Sequence, residues 1–171
     1  MTLNPLLERW RLAALVASAA MLAVAHAFQT FGGYQPCTLC LRQREVYWVV
    51  GAIALAFMIV VRLPGGRRFR QLTCWILGLG FLVGCGVAVY HAGAEWKFWP
   101  GPSTCSSAGG AGGVSAAALQ DLLNGAKIRP PACDQAPWVF AGLSMAGWNA
   151  VASLGLAALS AAAALRERSK P

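Results

Sequence analysis

CTLCLRQREVYWVVGAIALAFMIVVRL, residues 37–63, sets two cysteines and a short charged stretch directly against an apolar run. The run, residues 46–63, is long enough to cross a hydrocarbon core of about 30 Å. Runs of the same kind lie at residues 10–31, 72–92 and 138–165. A spanning backbone must satisfy its own hydrogen bonds, and no ten-residue alternation points to a barrel, so an all-α bundle of four transmembrane helices is expected. Composition agrees: 57% of the 171 residues are hydrophobic and 12% charged, against roughly 25% charged in soluble domains. A soluble globule, a coiled coil, a collagen-like chain and a charge-rich disordered chain are all excluded, and one integral membrane domain over residues 1–171 is expected.

The net charge of +8 resembles a nucleic-acid signal, but its distribution belongs to membrane orientation. Arg9, Arg11, Arg62, Arg67, Arg68, Arg70, Arg166, Arg168 and Lys170 fall on one side of the expected spans. Arg42, Arg44, Lys97, Lys127 and Arg129 fall on the other. The richer side is expected to be cytoplasmic, which puts both termini inside and residues 32–45 and the long loop 93–137 outside. Arg9, Arg11, the following run and Ala25-His26-Ala27 also imitate a cleaved signal peptide; the run is read as a retained first span, because its removal would put the two ends on opposite faces.

This topology sorts the six cysteines. Cys37, Cys40, Cys105 and Cys133 lie on the outer side or at its membrane edge, where disulfides persist. Cys74 and Cys85 lie within the third span, too far apart on one helix to bridge, and are read as small buried hydrophobes. Cys37-Thr38-Leu39-Cys40 follows Pro36, where the second helix is expected to begin with Pro36 in its first turn. A thiol there has its thiolate favoured by unpaired N–H groups and the helix dipole. Arg44, four residues beyond Cys40 on the same face, offers a permanent cation to a Cys40 thiolate or to an anion developing on a bound acceptor.

A C-x-x-C pair alone is compatible with redox chemistry, a static disulfide or half a metal site. Leu41 in place of His excludes c-type haem attachment, and the 27 residues between Cys105 and Cys133 are unlike compact zinc spacing. In the long loop, Glu95, Trp96, Lys97, Phe98 and Trp99 read as an interfacial segment. Residues 106–113 are a glycine-rich stretch, and Ser115 is placed to cap a short helix ending near Asn124-Gly125. Slack beside Cys105 suits a thiol that must leave one sulfur partner and meet another.

Together, the Cys37/Cys40 pair opening the second of four spans, Arg44, the loop pair Cys105 and Cys133, and residues 138–145 resemble the DsbB family of bacterial disulfide bond formation proteins over nearly the whole chain. The resemblance implies a multi-pass inner-membrane thiol oxidase with its redox sites on the periplasmic side, expected to be monomeric, with no metal and no nucleic-acid partner. It would reoxidise a thioredoxin-fold DsbA-like protein and pass electrons to a membrane quinone, ubiquinone or menaquinone. By the same resemblance, Cys105 and Cys133 would meet the partner, with Cys105 forming the mixed disulfide. Cys37 and Cys40 would reoxidise that pair, and Cys40, Arg44, His91 and Met145 would face the quinone. Gln43 stands where some relatives carry an acid. His91 and Glu45 are the candidates for moving protons.

Overall fold

The computed structural model describes residues 6, 7, 9–102 and 133–168. Four helices are each long and apolar enough to span a bilayer: α1 (Trp10–Thr30), α2 (Thr38–Val60), α3 (Arg70–Glu95) and α4 (Met145–Arg168). A 3-10 turn, Gly66–Phe69, precedes α3. Each helix packs mainly on its neighbours in sequence, and α3 against α4 is the most extensive pairing.

The bundle is apolar outside. Val16, Val24, Leu55, Ile59, Leu79, Leu82 and Leu154 are all exposed along the helix shafts, as lipid-facing positions are. Lipid tails remove the hydrophobic incentive for helices to associate, so close packing through small residues must hold them together. Gly78 on α3 is met by Ser160 on α4: a Cβ added at Gly78 would lie 3.0 Å from the Ser160 Cβ. At Gly80 the same added atom would sit 2.6 Å from Val50 Cγ2 on α2. Trp10, Ala14, Val50, Ala54, Leu77, Phe81, Ala163 and Ala164 fill the core around these contacts.

Polar contacts join the helix ends at two levels. At the terminal end, Trp10 Nε1 donates to Ser160 Oγ at 2.9 Å, Arg11 donates to Thr73 Oγ1 at 3.3 Å, and Arg70 pairs with Glu167 at 3.0 Å. The opposite end, the sulfur end, carries the cysteine pair.

Two boundaries depart from expectation. Pro36 lies outside α2: Cys37, with extended backbone, is the N-cap, and its Sγ accepts the backbone N–H of Cys40 at 3.3 Å. The expected start of the fourth span is a two-stranded hairpin instead, β1 (Val139–Phe140) against β2 (Leu143–Ser144). Its two-residue loop needs positive φ at both positions, and Ala141 (50°) and Gly142 (79°) supply it. Helix α4 then starts at Met145, with Ser144 Oγ accepting the Gly147 N–H at 3.1 Å as a cap. Aromatic rings gather around the hairpin: Trp138 stacks on Phe140 and meets Phe28 edge-on, while Trp148 Nε1 donates to the Phe140 carbonyl at 3.0 Å. Such a belt suits an interface between hydrocarbon and water.

Candidate functional site

The first turn of α2 brings the two sulfurs of the C-x-x-C pair face to face. Residues three apart share a helix face, and Cys37 Sγ lies 3.0 Å from Cys40 Sγ, both as free thiols. Cys37 is buried and Cys40 half-buried. The hydrogen bond from the Cys40 side chain, the strongest influence, and contacts from His91 and the Cys40 backbone N–H hold the Cys37 thiol well below its usual range, against the opposing effect of burial. The start of α2 therefore favours the thiolate form of Cys37.

A third sulfur reaches the same place. Cys133 is disulfide-bonded and fully buried, in one cluster with Cys37 and Leu39, with Cys40 packed against it. Its Sγ lies 3.4 Å from Thr38 Oγ1, and a disulfide sulfur has no proton to give, so the Thr38 hydroxyl is the donor. Cys105 and the glycine-rich, Ser115 and Asn124-Gly125 expectations fall outside the described residues. Cys74 is buried and Cys85 half-buried, both free within α3.

Helix α3 supplies the next layer. His91 Nε2 lies 3.5 Å from Cys37 Sγ and 3.6 Å from Glu95 Oε1, one helical turn further on. The aromatic segment that follows folds back on α3: Trp99 Nε1 donates to the Tyr90 carbonyl at 2.8 Å and its ring stacks on Tyr90. Glu95 was expected among interfacial side chains. Here it is buried, beside Ser144, and its Oε2 has no hydrogen-bond partner. Lys97 does lie exposed, donating to the Asp134 carboxylate at 2.7 Å one residue from Cys133.

Behind His91 runs a chain of buried polar side chains that the sequence reading missed. Gln43 Nε2 is 2.9 Å from His91 Nδ1, Asn149 Nδ2 donates to Gln43 Oε1 at 2.6 Å, and the Tyr47 hydroxyl donates to Asn149 Oδ1 at 2.5 Å. Ser153 Oγ closes it, 2.8 Å from the Tyr47 oxygen. One signal was present: Gln43 and Asn149 are polar residues at membrane depth, where such groups are expensive unless paired.

The remaining expected residues separate. Arg44 turns to α1, donating to Gln29 Oε1 at 2.6 Å and to the Ala25 carbonyl at 2.9 Å, so its cation braces the end of that helix. Met145 opens α4 half-buried, one turn before Asn149. Glu45, a candidate for moving protons, is exposed and paired with Arg42 at 2.7 Å, away from the buried chain. Below Arg44 an apolar groove of about 520 Å³ opens between α1 and α2, lined by Leu15, Ala19, Leu22, His26, Trp48 and Leu55 among others, with the buried, unpartnered Ser18 hydroxyl in its wall.

Cys37, Cys40 and His91 place three donor atoms within 4.8 Å of one another, a set that could hold a soft metal ion. A site built from Cys37, Cys40, Cys105 and Cys133 together is a different matter, because Cys133 is committed to its disulfide. Two free thiols touching a disulfide cysteine are the arrangement that exchange requires.

The chain matches the family described as disulfide bond formation protein DsbB over residues 8–163. It is 33% identical over 147 residues to disulfide bond formation protein B of Methylococcus capsulatus, covering 83% of this chain and 84% of that one. Against disulfide bond formation protein B of Dechloromonas aromatica the identity is 30% over 145 residues, covering 81% and 80%. Disulfide bond formation protein B 2 of Pseudomonas syringae is 26% identical over 147 residues, covering 85% and 81%. No solved structure gives a significant match.

Proposed function

Because the chain belongs to the DsbB family of disulfide bond formation proteins, we propose that it is a quinone-linked thiol oxidase of the bacterial inner membrane that reoxidises a periplasmic, DsbA-like dithiol protein. The observation that carries this reading is the shared buried cluster of Cys37, Cys40 and the disulfide-bonded Cys133.

Exchange proceeds between couples. The reduced partner attacks the loop disulfide, with Cys105 its first target, and leaves oxidised. The loop dithiol then attacks Cys37 of the oxidised Cys37–Cys40 couple. A mixed disulfide forms, Cys40 leaves as a thiolate, and the second loop thiol displaces Cys37. Two electrons have then moved inward and the loop disulfide is restored. Cys133 needs no long journey for this, since it already packs on Cys37 and Thr38. The direction is uphill for most protein disulfides when the partner is as oxidising as DsbA, at about −120 mV.

A bound quinone supplies a two-electron, two-proton acceptor soluble in the bilayer. The groove between α1 and α2 fits such a group: its walls are apolar, and the Ser18 hydroxyl is an orphaned donor in an otherwise lipid-like surface. Leu15, Leu22 and Leu55 would hold the apolar part, and Arg44, fixed at the head of the groove by Gln29 and Ala25, would present its cation toward the polar end. Cys40, His91 and Met145 border the same end of the bundle. Ubiquinone and menaquinone both satisfy this chemistry.

The test is anaerobic oxidation of a reduced thioredoxin-fold dithiol protein by the purified chain, with each quinone added in turn. Turnover that needs quinone and disappears in Cys40→Ala is expected. Full quinone-dependent turnover by Cys40→Ala would overturn the reading.

A further inference from the structure

The buried chain ending at His91 has a direction. Tyr47 donates its only proton to Asn149 Oδ1, which leaves the Asn149 amide facing Gln43 with its N–H group, donating to Oε1. Gln43 must then present its own NH2 to His91 Nδ1 at 2.9 Å. An amide NH2 accepts nothing, so Nδ1 is a lone pair and the single proton of the neutral imidazole sits on Nε2. At Nε2 stand two acceptors, Cys37 Sγ at 3.5 Å and Glu95 Oε1 at 3.6 Å, which favour a proton there. The reverse run of the chain would put a proton on Nδ1, and a neutral ring would then aim a bare nitrogen at both. Ser153 satisfies the Tyr47 oxygen from the far side. All five side chains behind and including His91 are buried, so water does not compete for these bonds.

We propose that Gln43, Asn149 and Tyr47 are positioning residues that lock His91 in its Nε2–H tautomer and aim that proton at Cys37 Sγ. The role rests on the thiol-exchange reading. When the second loop thiol attacks the mixed disulfide, the loop S–S bond forms, the bond to Cys37 Sγ breaks, and Cys37 takes the electron pair as a thiolate; the attacking thiol gives its proton to solvent at the outer face. The Nε2–H stabilises the departing sulfur, and a better-stabilised thiolate leaves faster. Glu95 Oε1, at 3.6 Å, lies beyond hydrogen-bond reach of Nε2 and leaves that proton to Cys37.

The molecule contains its own reference. His26, the other histidine, has Nδ1 2.7 Å from the Leu22 carbonyl, which accepts only, so His26 is the opposite tautomer, Nδ1–H. The experiment is 15N NMR of the full chain in nanodiscs with ring-labelled histidine, assigned with His26→Asn, and with neither quinone nor partner protein added. One ring protonated at Nδ1 and one at Nε2 are expected. Gln43→Glu replaces the donor by a carboxylate and moves the His91 proton to Nδ1. Asn149→Asp forces Gln43 to turn over and does the same from two side chains away, while the His26 signals stay fixed. Release of Cys37 from a trapped mixed disulfide should slow roughly tenfold in both variants, the worth of one hydrogen bond to a charged group. A wild-type His91 protonated at Nδ1 overturns the proposal, as does an unchanged release rate in a variant whose tautomer has reversed. Should Asn149→Asp not fold, Gln43→Glu makes the same distinction. Absence of quinone-coupled turnover in the wild type would instead strike the thiol-oxidase reading and leave the tautomer result standing.

Discussion

The two ends of the bundle are held by different physics. At the terminal end, glycine and serine let helix backbones approach, and Trp10, Phe81, Ala163 and Ala164 fill the space behind them. Shape dominates there, with the Trp10–Ser160 hydrogen bond and the Arg70–Glu167 ion pair beside it. At the sulfur end, Cys37, His91, Gln43, Asn149 and Tyr47 are buried polar groups whose bonds each require a particular donor and a particular acceptor. Direction decides there. A packing end tolerates changes that keep volume, whereas a directional end tolerates changes that keep donors and acceptors.

The contrast is broken most severely by removing a sulfur. Cys40→Ser is nearly isosteric, so the fold should survive in circular dichroism and thermal unfolding while dithiol oxidation drops to background. A variant that kept turnover would show that the couple is structural. The reciprocal change is Trp10→Ala, which empties a buried site and removes the bond to Ser160. By analogy with soluble cores it should cost about 3–5 kcal/mol in reversible unfolding from micelles, with turnover per folded molecule unchanged. A loss of less than ~1 kcal/mol would mean that shape is not what holds that end.

The expected four-span pattern and the position of the C-x-x-C pair at a helix mouth were legible because an apolar run of fixed length has few alternatives. The hairpin was not, since Trp138, Val139 and Phe140 read as the start of an apolar run, and only the backbone sign at Ala141 and Gly142 reveals a turn. The polar chain was hidden for another reason. Gln43 and Asn149 lie 106 residues apart, and nothing local to either says that they meet. Arg44 is read by its spacing from Cys40, and that spacing says nothing of the bonds its guanidinium makes to Gln29 and the Ala25 carbonyl on α1. Glu95 was assigned by the company it keeps in sequence, next to tryptophan and lysine, while the helix carries it one turn past His91 and inward.

A smaller effect sharpens the electrostatic half of the contrast. Cys37 is held below the ordinary thiol range, so its thiolate persists as pH falls and is lost only once the medium passes below that lowered value. Alkylation of the reduced protein, followed by peptide mapping, should keep Cys37 reactive in mildly acidic buffer where a cysteine in an unstructured peptide is silent. A pH midpoint for Cys37 equal to that of the free peptide thiol would contradict the assignment. The smallest effect belongs to the rim: Arg42 and Glu45 form an exposed pair, and Arg42→Ala should change unfolding by less than about 0.5 kcal/mol.

The central claim, that the loop couple and the C-x-x-C couple exchange electrons directly, is tested by trapping the bond between them. In Cys40→Ser the freed Cys37 thiolate attacks the loop disulfide, and with Cys40 absent only the loop thiol that it displaces can reverse the step, so a mixed disulfide accumulates to a measurable fraction. Non-reducing digestion and mass spectrometry should therefore recover Cys37 joined to Cys105 or Cys133, with the other loop cysteine alkylatable. Recovery of an intact loop disulfide beside a free Cys37, after prolonged incubation, would contradict the account.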